Sequence, residues 1–561
     1  MMRLASVILV ALVLAEFVLL PPRPAALDAR PDLPQSVRGI VHVHSRRSDG
    51  SGTVDDIAAA AARAGLRFVI FTDHGDATRR PDPAEYRSGV LCIDAVEIST
   101  DGGHLVALGL PKAPYPLGGE PRDVVEDVAR LGAFSIAAHP GSPKPGLRWV
   151  EWTAPFDGLE WLNFDSEWRD ESVSTIARTL FTYPVRGAES LALLLDRPDG
   201  VLRRWDVLTK RRRVVAVAAA DAHARFGTRG VGEGAQGGMS IHVPTYEQVF
   251  RTFSITLPQA RLTGNAALDA RTVLAEIRRG HVYSSIDALA APAQMAFSAT
   301  SGTQQATGGD TLAAAGPITV KVQTDAPPDA RITLLKDGAV TQTSTGPALE
   351  YHAGPDAAVY RVEVKVSHAP GEPPVPWMLS NPIYVGGTDT REPLPQRPPP
   401  SHLIEQYGDG AATGWTVEHS PRSAAALDVV RAVGGTQIAF RYGLGGTAAE
   451  SPYAALVMPA GPALASSDRL RFTARADKPM RVSVQIRTSS GGGERWHRSV
   501  YLDTTPRDVS VFFDDVTPVG ATRTRRPALE TIDSVLWVVD TVNTPPGASG
   551  QIWIDNVAYG R

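Results

Sequence analysis

The chain has 561 residues, which is too long for one hydrophobic core, so we expect several domains, on a prior of roughly three to four. The composition is ordinary for a folded protein, at 43% hydrophobic and 21% charged residues, and a formal net charge of -4 argues against a nucleic-acid partner. Cys92 is the only cysteine, which excludes an intrachain disulfide and a cysteine-based metal site. Any bound metal must therefore be held by histidines and carboxylates.

The N-terminal segment has the layout of an export signal. Arg3 is followed by an apolar run from Leu4 to Leu20, interrupted only by Glu16, and then by a proline-rich stretch. No convincing cleavage motif follows, so residues 1–30 are predicted to be either a signal peptide or an uncleaved membrane anchor. We expect a periplasmic, extracellular or membrane-anchored protein that meets the membrane only through this segment.

Residues 36–290 alternate between short apolar runs and amphipathic stretches, a pattern that predicts a layered or barrel-like α/β domain. Helices are predicted at 53–64, with Thr53 as N-cap and Gly65 as stop, at 122–131, and at 272–279, with Gly280 as cap. The predicted strands are Val37–His44, Phe68–Thr72, Leu91–Glu97, Leu105–Gly109, Phe134–Ala138, Gly158–Leu162 and Val214–Ala219.

The remainder of the chain is predicted to be all β. Residues 291–390 alternate as in a small immunoglobulin-like sandwich, residues 391–402 form a proline-rich linker, and residues 403–561 resemble a jelly-roll, galactose-binding-like domain. That last domain is a candidate for binding carbohydrate. Its tryptophans Trp415, Trp496 and Trp537 could stack on sugars, but core packing is the favoured interpretation.

Five predicted strands of the α/β domain each end in a residue that can bind a metal. Because residues at the carboxyl ends of successive barrel strands converge on one mouth, these scattered positions are expected to be neighbours in space. His42 and His44 should share one strand face by period-two alternation, and Asp221 and His223 repeat that spacing. The candidate ligands are His42, His44, Asp49, His74, Glu97, His104, His139, Asp221 and His223.

Such a cluster points to divalent cations, because they offset the cost of burying carboxylates and keep imidazoles deprotonated. A His and carboxylate set suits Zn, Mn or Fe, and the sequence does not choose among them. Other polar residues lie nearby in sequence. Asp73 is expected to orient His74 or a neighbouring loop, while Glu160 and Asn163 are interpreted equally well as pocket or as surface residues.

Read in order, the motifs resemble the PHP (polymerase and histidinol phosphatase) superfamily over about 250 residues. The matching strings are His42-Val43-His44-Ser45 with Ser48-Asp49-Gly50, Phe71-Thr72-Asp73-His74, Val96-Glu97-Ile98-Ser99, Ala138-His139-Pro140-Gly141 and Asp221-Ala222-His223. The resemblance implies a distorted seven-stranded β/α barrel with two or three metal ions. Residues 279–283 and 380–385 look like the CehA/McbA branch, which is associated with carbamate and ester hydrolysis.

The resemblance also implies a ligand set for each ion. His42, His44, Glu97 and Asp221 would hold one ion, and Glu97 would bridge to a second ion completed by His104 and His139. Asp49, His74 and His223 would hold a third. Glu97, Asp221 and His223 would act in catalysis as well. If His104 instead caps a turn, a two-metal site remains.

The expected function is a metal-dependent hydrolase that uses a metal-bound hydroxide on a small or polymer-attached ester, first of all a phosphoester. The alternative within enzymes is a carbamate or carboxylic ester hydrolase. A different class is an envelope glycan-binding protein with a non-catalytic barrel. Phosphate esters would also want cations at the mouth, and the candidates are Arg79, Arg80, Lys144, Arg148, Arg225 and Arg229.

Overall fold

The computed structural model describes residues 19–28, 30–31, 33, 36–224, 243–386, 412–432, 435–489 and 493–560. They fall into two compact units. The first is built from residues 1–75, 80–111 and 125–393, and the second from residues 76–79, 112–124 and 394–561. No helix in the described part of the chain is long and apolar enough to cross a bilayer.

The first unit contains 23 short strands and eight helices among its described residues. The helices are α1 Val54–Arg63, α2 Pro121–Arg130, α3 Phe164–Glu167, α4 Val173–Thr182, α5 Gly187–Ala192, α6 Asp199–Thr209, α7 Tyr246–Thr252 and α8 Ala266–Arg279. The strands are β1 Ala25–Ala26, β2 Val37–Val43, β3 Phe68–Phe71, β4 Glu85–Arg87, β5 Val90–Asp94, β6 Val96–Thr100, β7 Gly103–Leu108, β8 Phe134–Ala137, β9 Gly158–Asn163, β10 Val215–Ala219, β11 Ser254–Leu257, β12 Tyr283–Ser285, β13 Ala290–Ala291, β14 Met295–Ser301, β15 Gln304–Thr307, β16 Thr311–Leu312, β17 Ile318–Thr324, β18 Arg331–Lys336, β19 Ala339–Thr345, β20 Ala348–Ala353, β21 Ala358–Lys365, β22 Met378–Ser380 and β23 Ile383–Val385.

Local sequence explains why these elements start and stop where they do. Helix α1 begins after Thr53, whose side chain accepts from the Asp56 backbone while the Asp56 carboxylate accepts from the Thr53 backbone, a capping box. The helix gives way to Gly65 at φ 75°, a conformation that glycine adopts without a Cβ clash. Helix α8 ends in the same way at Gly280, with φ 78°.

Two sheets position the strand ends. One is five-stranded, in the order β10-β9-β8-β7-β6, and β2, β3 and β5 are neighbours in a larger, twelve-stranded sheet. Strands β2, β3 and β5 are parallel, as are β8, β9 and β10, whereas β7 runs antiparallel to both of its neighbours. Parallel bridges join the two sheets, from Val43 to Ala222 and from His74 to Glu97. The carboxyl ends of β2, β3 and β10 and the amino end of β6 are therefore brought together, in a mixed α/β fold.

The predicted strand Leu91–Glu97 is wrong as a single element, because it divides at Ala95 into β5 and β6. Strand β5 pairs with β3, whereas β6 pairs with β7 in the other sheet. Strand β5 is apolar and almost wholly buried, and the run continues through Ala95 and Val96 without a turn residue, so the composition gives no sign of the switch. The break delivers Glu97 to the seam between the sheets.

The strands after Ala291 do not form a separate unit. Strands β14, β15, β17 and β20 make their own sheet, but β22 pairs with β12, which continues the large sheet of the α/β part. The Asn381 side chain adds to this union, since it bonds the backbone of Ala216 and of Val282. A buried ion pair between Arg361 and Asp206 joins the same two parts.

The second unit is a two-layered β-sandwich. Its sheets run in the orders β24-β27-β33-β29-β30-β32 and β25-β26-β34-β28-β31. Alternate residues point inward, so that Leu470, Phe472 and Ala474 of β28 lie in the core. The strands are β24 Thr416–His419, β25 Ala424–Ala432, β26 Gly435–Gly443, β27 Tyr453–Pro459, β28 Arg469–Ala476, β29 Met480–Thr488, β30 Arg495–Leu502, β31 Arg507–Phe512, β32 Thr517–Pro518, β33 Ile532–Asp540 and β34 Ser549–Gly560.

Trp415, Trp496 and Trp537 all belong to the core of this sandwich. The rings of Trp415 and Trp537 stack with centroids 5.4 Å apart. Core packing, the favoured interpretation of these three side chains, is what the structure shows.

Candidate metal centre

All nine predicted ligands lie at or close to one edge of the two joined sheets. His42 is the penultimate residue of β2, and His44 follows that strand. His74 comes shortly after the end of β3, and His139 shortly after the end of β8. Glu97 is in β6, and His104 is at the start of β7, which reaches the same edge with its amino end because it runs antiparallel. Asp221 and His223 follow β10. Positions separated by up to 181 residues thus become neighbours.

Glu97 is the hub of this centre. Its Oε2 lies 3.1 Å from His42 Nε2, 3.2 Å from His44 Nε2 and 3.3 Å from His74 Nδ1. Its Oε1 lies 2.8 Å from both His104 Nδ1 and His139 Nε2. One buried carboxylate therefore faces five imidazoles, with its two oxygens directed to different sets.

Asp221 adds a second carboxylate to the group that faces Glu97 Oε2. Its Oδ1 lies 3.4 Å from His42 Nε2 and 3.3 Å from His44 Nε2. Ligand atoms around a tetrahedral zinc stand roughly 3.4 Å apart, given zinc–ligand bonds of ~2.1 Å. The spacing of His42, His44, Glu97 and Asp221 is that of ligands around a shared ion.

A third group of ligands lies toward solvent. His223 Nε2 is 3.2 Å from Asp49 Oδ2, and His74 Nε2 is 3.8 Å from that same oxygen. Here the side chains are more open, with 44% of the Asp49 side chain and 22% of the His223 side chain exposed, whereas His42 and His44 are fully buried. The centre consequently has a closed half, formed by His42, His44, Glu97 and Asp221. Its open half is formed by Asp49, His74 and His223.

The backbone is strained at three of the nine positions. His42, His139 and Asp221 have φ values of 64°, 31° and 44°, a region that residues with a Cβ seldom adopt. His42 and His44 face the same oxygen of Glu97, as the prediction of a shared strand face has it. The strand between them is not regular, however, since His42 has a positive φ and the register between β2 and β3 shifts between Ile40 and Val43.

Several polar atoms of the centre are buried with no hydrogen-bond partner among the described residues. They are His42 Nε2, His44 Nε2, His74 Nδ1 and Asp49 Oδ1. A buried polar atom without a partner costs about 1–3 kcal/mol, and four such atoms aimed at one region call for a ligand. Divalent cations would satisfy all four, so the residues present fit metal binding. Four overlapping groups of these side chains have ligand atoms close enough to hold an ion.

Electrostatics keeps the carboxylates ionised. Burial raises the pKa of Glu97, but the charges of His42 and His74 and the hydrogen bonds from His104 and His139 lower it by more, to well below its usual range. The pKa of Asp221 is likewise well below normal, because His42, His44 and His223 outweigh its burial. These carboxylates are ready to accept cations at any pH near neutrality.

The pKa values of His42, His44, His139 and His223 shift upward, whereas burial lowers the pKa of His74. Burial lowers the pKa of His44, but the adjacent carboxylates of Asp221 and Glu97 raise it overall to about 10. For His42, the carboxylates of Glu160, Asp221 and Glu97 overcome burial and hold the pKa well above its ordinary value. Without cations, protonated imidazoles would supply the positive charge that faces the carboxylates.

A layer of residues behind the ligands orients them. His42 Nδ1 donates to Glu160 Oε1 at 2.5 Å, and the His139 backbone N–H donates to Glu160 Oε2 at 2.7 Å. Asn163 Nδ2 donates to Glu160 as well, at 2.8 Å, and to Asp221 at 3.3 Å. Glu160 and Asn163 are therefore buried partners of the centre, which residue type and position alone left undecided.

Other ligand rings are held by backbone oxygens. His139 Nδ1 donates to the Leu147 carbonyl and His223 Nδ1 to the Asp221 carbonyl, each at 2.9 Å. Asp73 accepts from the backbone and hydroxyl of Ser45 and from the hydroxyl of Ser48, so it orients the loop that carries Asp49. The expectation that Asp73 acts behind the ligands agrees with these contacts.

Some predicted residues are not brought to the centre by any described contact. Arg225 and Arg229 lie outside the described residues, and no contact with the ligands is seen for Lys144 or Arg148 among the described side chains. His281 forms a separate cluster, 2.8 Å from both Glu276 and Asp310, as a structural histidine would. Cys92 is buried, which raises the pKa of its thiol to about 11 and disfavours a nucleophilic role.

No family model matches the chain, and no curated protein matches it. A two-domain protein from Bacteroides vulgatus that contains a predicted PHP-like metal-dependent phosphoesterase is 14% identical and covers 65% of this chain and 99% of its own, with a TM-score of 0.30. The family 11 carbohydrate-binding module from Clostridium thermocellum is 15% identical and covers 28% of this chain and 93% of its own, with a TM-score of 0.24. These likenesses are distant, so we argue function from the side chains of the centre.

Proposed function

We propose that the chain is an exported metal-dependent hydrolase that cleaves phosphoesters at the centre built around Glu97. The observation that carries the proposal is the shared carboxylate, which faces three imidazoles with one oxygen and two with the other. A structural role would not require five histidines around one buried acid. A centre with several adjacent cations does require it.

The geometry supports a specific assignment of ligands. His42, His44, Glu97 Oε2 and Asp221 would hold the first ion, and Glu97 Oε1, His104 and His139 the second. Asp49, His74 and His223 would hold the third, at the open side. The 2.8 Å contact between His104 and Glu97 favours the set that includes His104 over the alternative in which it only caps a turn.

Such ions, when bound, lower the pKa of a coordinated water toward ~7 and stabilise charge that develops on the attacked ester. The chain supplies the orientation. Glu160 accepts a hydrogen bond from the Nδ1–H of His42, so that Nε2 would present its lone pair to the centre. His223 donates from Nδ1 to the Asp221 carbonyl. Its Nε2 is therefore left to face the open side of the centre, from which substrate can approach.

The two bridges between the sheets also support the distorted seven-stranded barrel, formed by β2, β3, β6, β7, β8, β9 and β10. Within this proposal, residues 36–290 are the catalytic domain and residues 403–561 are a candidate glycan-binding domain. The apolar N-terminal segment supports export. Membership of the PHP superfamily and of its CehA/McbA branch remains part of the proposal.

The test combines elemental analysis with a substrate panel. Purified protein should carry two or three equivalents of Zn, Mn or Fe, and should hydrolyse an aryl phosphate in a reaction that a chelator abolishes and added metal restores. A His352→Ala variant, which changes an exposed histidine of β20, is the matched control and should behave as the parent does. Fast cleavage of an aryl carbamate with negligible phosphate turnover would replace the substrate class, and bound metal without any hydrolysis would favour a glycan-binding protein.

A further inference from the structure

Helix α4 has an unusual distribution of side chains. Its residues Val173, Ile176, Ala177, Leu180 and Phe181 follow the i, i+3, i+4, i+7, i+8 spacing of one helical stripe. In a globular protein such a stripe faces the core. Here most of it faces solvent. Val173 is 85% and Leu180 49% exposed, and Ala177 is exposed as well, whereas Ile176 and Phe181 are half-buried.

The inward face of the same helix is polar. Thr179 and Thr182 are its buried residues, and their hydroxyls bond the carbonyl and the hydroxyl of Ser190 in α5. The helix is thus inverted relative to the ordinary pattern, with hydroxyls inside and apolar side chains outside. Val185, 58% exposed, extends the apolar surface beyond the helix end. A contiguous apolar surface of this kind marks an interaction site, whereas a single exposed valine does not.

The N-terminal segment reaches the same surface. Arg178 of α4 donates from Nε to the Leu19 carbonyl at 2.9 Å, and Arg186 bonds the Pro21 carbonyl. Leu19 is itself 37% exposed. The apolar run that begins at Leu4 therefore joins the folded part of the chain beside the exposed face of α4.

We propose that the exposed face of α4, with Leu19 and Val185, rests on a lipid bilayer into which the retained N-terminal segment inserts. Since the segment and the face meet at Leu19, a bilayer that takes up one must lie against the other. Arg178 and Arg186 lie beside the face, and Asp170 and Glu171 are close to its start. The contact is therefore driven by apolar burial and not by attraction to anionic headgroups. This inference does not depend on the proposed enzymatic activity.

The single buried cysteine makes a direct test practical, because an introduced cysteine can be labelled selectively. A polarity-sensitive dye is placed on Val173→Cys in the full chain, with an intact N-terminus verified by mass spectrometry. Val340→Cys, at a valine of β19 that is 63% exposed, is the matched control. Vesicles of phosphatidylcholine, with and without brominated acyl chains, are then added.

We expect brominated vesicles to quench the dye at position 173 at least about twofold and the dye at position 340 not at all, with no effect of high salt. Adding Leu180→Ser and Val185→Ser should return the quenching at 173 toward that of the control, with unchanged circular dichroism. Equal quenching at both positions, or quenching that salt abolishes, would overturn the proposal. A dye at 173 that is already shielded without lipid would also overturn it. Shielding that is lost on dilution would identify a second copy as the occupant, and shielding that persists would identify residues 4–18.

Discussion

The closed and open halves of the metal centre are built from the same residue types but in different surroundings. His42, His44, Glu97 and Asp221 are buried and supported from behind by Glu160 and Asn163. Asp49, His74 and His223 border solvent, and 44% of the Asp49 side chain is exposed. A lost ligand in the closed half leaves buried charge with nothing to replace it, whereas water can substitute in the open half. The contrast predicts a gradient of effects from inside to outside.

The largest effect is expected at the hub. Glu97→Gln keeps the shape of the side chain but removes the charge shared by five imidazoles, so bound metal should fall by at least one equivalent and kcat/KM by at least about a thousandfold. Elemental analysis and steady-state kinetics measure both quantities. If the variant kept its metal and its activity, Glu97 would not be the bridging ligand. The His352→Ala variant, with a substitution on the surface, is the control.

A smaller effect is expected one layer behind the ligands. Glu160→Ala removes the acceptor of the His42 proton and of the His139 backbone N–H, so we expect metal affinity to weaken about 10- to 100-fold. Competition with a chelator of known affinity measures this change without reference to activity. Glu160→Gln retains an acceptor oxygen and should recover part of the loss. Equal behaviour of the two variants would contradict an orienting role.

At the open side the loss should be modest. Asp49→Asn weakens only the outermost group of ligands. Because this side chain is 44% exposed, we expect about tenfold lower activity with the inner ions retained. Metal content and turnover, determined on the same preparation, separate this result from general loss of the centre. A variant as inactive as Glu97→Gln would abolish the distinction between the two halves.

The smallest effect is expected at Asp325, a carboxylate outside the metal centre. Burial raises the pKa of Asp325 to about 6, and its Oδ2 lacks a hydrogen-bond partner among the described residues. Its folded pKa is above the unfolded value, so its contribution to stability is greatest below about pH 4 and is lost as pH rises toward 6. Asp325→Asn should raise Tm by roughly 2 °C at pH 7 and leave it unchanged at about pH 4. An equal shift at both pH values would refute the assignment.

The strand-end pattern predicted that the nine ligand candidates lie together, and the structure gathers them at one edge in overlapping groups, although Glu97 lies near the start of its strand. Their binding of metal stays a prediction. Metal-binding types at five separate strand ends are rarely coincidental, and parallel strands deliver their carboxyl ends to one place. Most helix and strand limits also agree with the structure to within a few residues, because caps such as Thr53 and Gly280 are local signals.

What the sequence did not reveal depended on partners distant in the chain. Glu160 looks like an ordinary surface carboxylate until His42 and His139 are placed beside it. The strained backbone of His42, the division of one apolar run at Ala95 and the union of β12 with β22 are decided by tertiary pairing. The inverted face of α4 has a normal amphipathic pattern, and only burial shows which side faces inward.

Because Val43 meets Ala222 and His74 meets Glu97 only after the sheets join, no short stretch of the nascent polypeptide carries a working set of ligands. Metal binding and closure of the two sheets would therefore be coupled, and the ions would add their binding energy to the folded state. Under the proposed export, a chain that crossed a membrane in extended form would carry no complete ligand set. Its metals would then come from the destination, and the supply there would decide which element it carries.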